Sequence, residues 1–178
     1  MLSHKTDKFD FTVLASWKAE ELKDYVKITA PENDISIYFL DLACPQAQNL
    51  GELATAAWKQ IHPDFNLELS LESSIPATDN WDQIVQLIYN TPTSELRTVM
   101  AIVRTFNNRA YLCLLEGTTV GLSRRGAEFN IMYESWKPGI KIGATLSLLK
   151  NGSLKLEANL RKTTRKTWCS WIPPLIVL

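Results

Sequence analysis

WDQIVQLIYNTPTSELRTVMAIVRTFNNRAYLCLLEG, residues 81–117, holds three β-rich apolar runs, set apart by Pro92-Thr-Ser-Glu95 and by Asn107-Asn108. Apolar and aromatic residues make up more than half of each run, as a pleated and largely covered strand requires. The two breaks are long enough to reverse the chain, but too short for the crossover that a parallel pair needs. The three runs therefore form an antiparallel meander, and the rest of the chain is arranged around it.

Upstream, FDFTVLA (9–15) alternates, placing Phe9, Phe11 and Val13 on one strand face, with Trp17 in a short polar link beyond it. YVKITA (25–30), the turn PEND (31–34) and ISIYFLDLA (35–43) then read as a hairpin. The second arm is continuously apolar and predicts a central strand covered on both faces. Over Gln46–Gln60 the period changes: Leu50, Leu53, Ala54, Ala57 and Trp58 recur three or four apart, as one helix face does. Asn49 is its N-cap and Pro63 its stop, which leaves His62 beside the last helical carbonyls. LELSLESSI (67–75) alternates as a half-exposed strand, with Leu67, Leu69 and Leu71 inward. After the meander, Leu122, Phe129, Met132, Tyr133 and Trp136 return to helical spacing until Pro138-Gly139, which puts Ser123 in the first turn as a capping hydroxyl. The expected fold is α+β: an antiparallel sheet of about six or seven strands with helices packed on it, forming one domain over residues 1–145. Residues 146–178 are a separate segment.

At 178 residues and 46% hydrophobic content the chain can bury a core without disulfide or metal staples. Its formal net charge is zero, so no global field draws it to nucleic acid or to an anionic membrane. Residues 150–178 are the exception, with six Lys or Arg against one Glu. The segment RKTTRK with Trp168 would suffice for salt-sensitive, unspecific contacts to nucleic acid or lipid, yet neither partner is expected of the chain as a whole. No stretch reaches the roughly 20 apolar residues of a membrane span, and no export signal opens the sequence. A cytoplasmic location is the default, or a periplasmic one if the chain is a piece of a longer exported protein. Cys44, Cys113 and Cys169 are widely spaced, which fits buried apolar residues better than disulfides or a metal clamp.

Ser123, between Gly121 and Arg124-Arg125-Gly126, misses the Gly-x-Ser-x-Gly spacing of a nucleophile elbow by one residue. Ser147-Leu-Leu-Lys150 matches Ser-x-x-Lys, but neither Ser-Asp-Asn nor Lys-Thr-Gly follows it. Two isolated histidines make no metal site, and no glycine-rich loop cradles a phosphate. No catalytic residue, metal ligand or cofactor is assigned. Arg124 and Arg125 are the candidate ligand residues: at a helix N-terminus they would bind an anion, unless Glu128 or solvent takes up their charge. Trp17, Trp58, Trp81 and Trp136 sit at element boundaries, where an indole closes the edge of a core and its N–H reaches a partner.

The order of these landmarks resembles the amino-terminal domain that precedes the catalytic domain in some bacterial β-lactamase-like, penicillin-recognising serine hydrolases. The residues that carry the likeness are Phe9-x-Phe11 with Trp17, PEND, AAWKQIHPDF (56–65), WDQIVQLIYNTP (81–92), RTFNNRAYLCLLEGT (104–118) and SRRGAEFNIMYESWKPG (123–139). The same element order is similar to the photosystem II extrinsic-subunit fold. The resemblance implies a non-catalytic accessory domain whose partner is a hydrolase domain, with KLEANLRKT (155–163) starting a linker helix and an atypical basic and apolar tail behind it. The alternative is a stand-alone module that binds a small ligand or a protein.

Overall fold

The structure is a computed structural model that describes residues 2–5, 9–44, 49–77, 81–138, 145–148 and 154–157. In chain order the elements are β1 (Leu2–Lys5), β2 (Phe9–Val13), β3 (Lys18–Glu21), β4 (Val26–Thr29), β5 (Ile35–Ala43), α1 (Leu50–Ile61), β6 (Leu69–Ile75), β7 (Gln83–Tyr89), β8 (Arg97–Phe106), β9 (Arg109–Thr118), α2 (Thr119–Ser135), β10 (Lys137–Pro138), β11 (Thr145–Leu148) and β12 (Leu154–Glu157). The 81–117 stretch is the meander β7–β8–β9, and it occupies the middle of a seven-stranded antiparallel sheet of order β3-β4-β5-β9-β8-β7-β6. Its tight turn has Asn107 and Asn108 at φ 50° and 58°, the left-handed pair that matches the twist of a two-residue hairpin.

Strands β5 and β9 lie side by side from Ile35↔Gly117 to Ala43↔Arg109. They read as unbroken apolar runs because each face of the sheet has its own cover. On one face α1 buries Leu50, Leu53, Ala54, Ala57 and Trp58 against Tyr38, Leu40, Val85, Leu87, Leu112 and Leu114. On the other, Phe129 and Met132 of α2, with Trp136 just after the helix, meet Ile37, Phe39, Ile102 and Cys113, together with Phe11 and Val13 of β2. Strand β2 is not part of the main sheet: it pairs with β1 and β10 in a small three-stranded sheet. Two compact units result, residues 1–140 and 141–178, and the described part of the second is the hairpin β11–β12.

Helix α1 begins as expected, with Asn49 Oδ1 accepting from the N–H groups of Gly51 (2.9 Å) and Glu52 (3.2 Å), a cap that contributes about 1 kcal/mol. Helix α2 begins earlier than expected. Thr118 is its N-cap, with Oγ1 accepting from Gly121 N–H at 3.0 Å, and Ser123 lies in the second turn as an exposed residue, not as a cap. The strand passes into the helix without a loop because Gly121 packs tightly on the hairpin turn; a Cβ there would run into the Asp34 carboxylate. The expected alternation of 67–75 also fails at one point. A bulge between Leu69 and Leu71 swaps faces, so Leu69 sits opposite Tyr89 on the α1 side, while Leu71 and Ile75 sit opposite Ile88 and Ile84 on the α2 side. Leu69 and Leu71 are both exposed, not inward as expected. Residues 154–157 pair with β11 as a strand where a linker helix was expected, and 158–163 lie outside the described residues.

Four described non-glycine residues have positive φ: Asn33, Asn107, Asn108 and Leu96. Asparagine tolerates this region and leucine does not. Leu96, at φ 45°, is 68% exposed, and its carbonyl accepts from Thr119 N–H (2.8 Å) and Thr119 Oγ1–H (3.0 Å) at the start of α2. Leu96→Asn is expected to raise unfolding free energy by about 0.5–1 kcal/mol, since it relieves the backbone and surrenders little burial. A thermal scan should show the midpoint about 2 °C higher; a lower midpoint would mean that the leucine side chain does more for the fold than its exposure implies.

Candidate functional site

Arg124 and Arg125 stand in the second turn of α2 with their charge already engaged. Arg125, 14% exposed in its side chain, holds Glu32 through Nε (2.9 Å) and Nη2 (2.6 Å to each oxygen), and Glu128 through Nη1 (2.8 and 3.1 Å). Trp17 Nε1–H donates to the same Glu128 at 2.6 Å. A chain of four side chains therefore ties the segment before β3, the β4–β5 turn and α2 together. Both carboxyls lie below their ordinary range: at Glu32 the Arg125 hydrogen bond is the chief cause, and at Glu128 the Trp17 indole hydrogen bond is, with Arg125 adding to it against the opposing effect of burial. Arg124 pairs with Asp34 at 3.1 Å. An incoming anion would have to compete with three carboxylates for these guanidinium groups.

A second cluster lies on the α1 face and escaped sequence reasoning. Tyr38 stands in mid-β5, Glu116 near the end of β9 and Arg97 at the start of β8. The registers Ser36↔Glu116 and Val99↔Glu116 place Tyr38 and Arg97 diagonally on either side of the carboxylate. His62, the residue that ends α1, drops onto it from above. The Tyr38 hydroxyl donates to Glu116 Oε1 at 2.8 Å, His62 Nε2 lies 3.0 Å from the same oxygen, and Arg97 grips Oε2. The His62 ring is therefore directed at Glu116, and only its backbone N–H bonds a helical carbonyl, that of Trp58 at 2.7 Å. Beneath the cluster the Trp58 indole stacks on His62 (5.9 Å) and on Phe65 (5.3 Å) and meets Tyr38 edge-on (6.0 Å).

With a side chain only 13% exposed, Glu116 feels burial pushing its pKa upward, yet the Tyr38 hydrogen bond and the charges of His62 and Arg97 outweigh this and hold it below the usual carboxylate range. Burial, then the bond to Glu116, drives the Tyr38 phenol far above its ordinary value. Proton positions are thereby fixed: phenol as donor, carboxylate as acceptor. General acid–base catalysis needs a group poised near the working pH, and both of these are displaced from it. Burial likewise raises the thiols of Cys44 and Cys113, so neither offers a ready thiolate.

A third assembly is a cage around Arg104. Its guanidinium carbon lies 3.8 Å from the Tyr133 ring centroid, 5.2 Å from Trp81 and 5.4 Å from Trp136, while Nε and Nη1 donate to Tyr133 Oη (3.0 Å) and the Trp136 carbonyl (3.2 Å). Three aromatic faces hold a cation by their quadrupoles, and here the cation belongs to the protein. Ser123 lies on α2 and His62 at the end of α1, helices that cover opposite faces of the sheet, so the two do not form a dyad. Ser147 is in a strand opposite Lys155, not on a helix one turn before a lysine, and Lys150 lies outside the described residues. Among the described residues no group of three or more His, Cys, Asp or Glu is placed to hold a metal ion, and no helix is long and apolar enough to cross a membrane. Of the boundary tryptophans, Trp17 finds a partner for its N–H, whereas the buried Trp58 Nε1–H has none among the described residues.

No family model matches the sequence, and no curated protein does. The fold does have counterparts among solved structures. The solution structure of cyanobacterial PsbP from Synechocystis sp. PCC 6803 superposes with a TM-score of 0.57 at 14% identity, covering 77% of this chain and 90% of that one. LpqN, involved in cell envelope biogenesis of Mycobacterium tuberculosis, superposes more loosely, with a TM-score of 0.48 at 16% identity over 73% of this chain and 82% of that one. At such identities the likeness to PsbP is one of fold: α+β, with an antiparallel sheet between helices, the photosystem II extrinsic-subunit arrangement expected from the element order.

Proposed function

We propose that this chain is a non-catalytic accessory domain, related to the region that precedes the catalytic domain in β-lactamase-like serine hydrolases, which packs against or presents substrate to such a partner. One observation carries the reading: the Glu116 and Arg125 clusters are closed on themselves. Glu116 is satisfied by Tyr38, His62 and Arg97, and Arg125 by Glu32 and Glu128. The pKa directions at Tyr38 and Glu116 move protons away from neutral-pH exchange. Groups arranged in this way stiffen a surface, and in these two clusters no base is left free beside a nucleophile. The PsbP-like fold supports the reading by architecture alone, as an antiparallel sheet between helices.

The purified chain should hydrolyse nitrocefin and p-nitrophenyl acetate no faster than buffer. Turnover that disappears in Ser123→Ala or in Ser147→Ala would overturn the proposal, because it would make one of those hydroxyls a nucleophile.

A further inference from the structure

The two edges of the main sheet are not alike. Strand β3 is four residues long and carries Lys18, Glu20 and Glu21, with an ion pair of 2.5 Å between Lys18 and Glu20. Charges on a short edge are the usual protection against pairing with another chain. Strand β6, LSLESSI, has seven residues and a single charge, Glu72. Beyond the bulge it presents Leu71 (50% exposed) and Ile75 (38% exposed) on one face, with Ser73 between them. Among the described residues no strand covers its outer side.

The geometry points to β6 as the site where a second copy of this chain docks, with the two β6 strands antiparallel about a two-fold axis through Ser73. In that register Leu71 faces the partner's Ile75, Ile75 faces the partner's Leu71, and Glu72 faces the partner's Ser74. Each exposed apolar side chain is covered by the other kind, and no carboxylate stands opposite its own copy. Moving the axis to Glu72 would set two glutamates directly across from each other, which is unfavourable. Moving it to Ser74 would leave Leu71 opposite Ala77 and Ile75 opposite Ser73.

The limits of the pairing agree as well. The window 71–75 is bounded at one end by the bulge at Ser70 and at the other by Pro76, which has no N–H to donate. In the Ser73-centred register these two pairing breakers face each other, so all five residues between them can pair and nothing outside them is asked to. The result is a continuous fourteen-stranded sheet held by a narrow interface, below the size of a permanent dimer and therefore concentration-dependent. This inference stands apart from the accessory-domain reading, since it concerns only self-association.

Sedimentation velocity over a rising concentration series should show the mass climbing from one chain towards two. Ser73→Lys, which sets two ammonium groups against each other on the axis, should abolish the rise with an unchanged melting temperature. In a Cys169→Ser background, Ser73→Cys should form an intermolecular disulfide at least about tenfold faster than Ser74→Cys, because only a residue on the axis meets its own copy at strand-pair distance. A wild-type chain that stays monomeric throughout, including one captured only by some other protein's strand, overturns the proposal. So does a dimer that survives Ser73→Lys, or equal crosslinking at positions 73 and 74.

Discussion

Trp58→Ala should cost about 3–5 kcal/mol of stability, the range for removing a fully buried aromatic side chain and leaving the space behind it, and lower the melting midpoint by about 10 °C. Trp58 has no exposed surface and sits where α1 meets the sheet. Its ring is the common neighbour of His62, Phe65 and Tyr38, so its loss opens the core and removes the platform on which the Glu116 cluster rests. The indole N–H adds a second arm to the test. It is buried without a partner among the described residues, which makes it a liability that a phenyl ring lacks. Trp58→Phe should therefore cost only about 1–2 kcal/mol, since most of the volume stays and an unsatisfied donor goes. Urea unfolding of both variants decides the matter; equal losses would mean that the N–H has a role the geometry does not reveal.

What the sequence disclosed and what it hid divide along a physical line. Patterns set by neighbours in the chain were legible: the three runs of the meander, the Asn107-Asn108 turn, the Asn49 cap and the apolar face of α1. Each depends on local spacing or on a backbone preference that acts over a few residues. Hidden were the features set by contacts distant in sequence. Strand β3, KAEE, has no apolar pattern and is a strand only because β4 pairs with it. The bulge at Ser70 left LELSLESSI looking like uninterrupted alternation, although its two halves serve opposite faces. Thr118 drew no reading of its own in the sequence, and its capping role appears only with Gly121 packed on Asp34. The Glu116 cluster draws its members from β5, α1, β8 and β9, and its one sequence trace was a lone carboxylate ending the apolar run Tyr111–Leu115.

The self-closure of the charges also shows what sequence order leaves out at the N-terminus of α2. Adjacent arginines at positions 124 and 125 look like an anion site when read along the chain. In space, the turn between β4 and β5 brings Glu32 and Asp34 to them, from about ninety residues away. A chain with balanced charge can thus spend its ion pairs on joining elements.

Glu116→Gln should destabilise the protein by about 1–3 kcal/mol at neutral pH, less than breaking a fully buried pair because His62 and Arg97 can rehydrate once released. The amide still accepts from the Tyr38 hydroxyl, so the change isolates the carboxylate's charge. The pH dependence gives the sign. Tyr38, His62 and Arg97 hold the folded-state pKa of Glu116 below its ordinary value of 4.5. Its contribution is therefore fully present above about pH 4.5 and is lost as pH falls through the lower, folded-state value. Once the wild-type carboxyl is protonated in both folded and unfolded chains, it resembles the amide that replaces it. The gap between the two proteins, measured by urea unfolding, should hold its full size at pH 7, begin to shrink as the pH falls below 4.5, and be smaller at pH 3. A gap of equal size at both pH values would show that the variant loses packing rather than charge, and would remove Glu116 from the centre of the cluster.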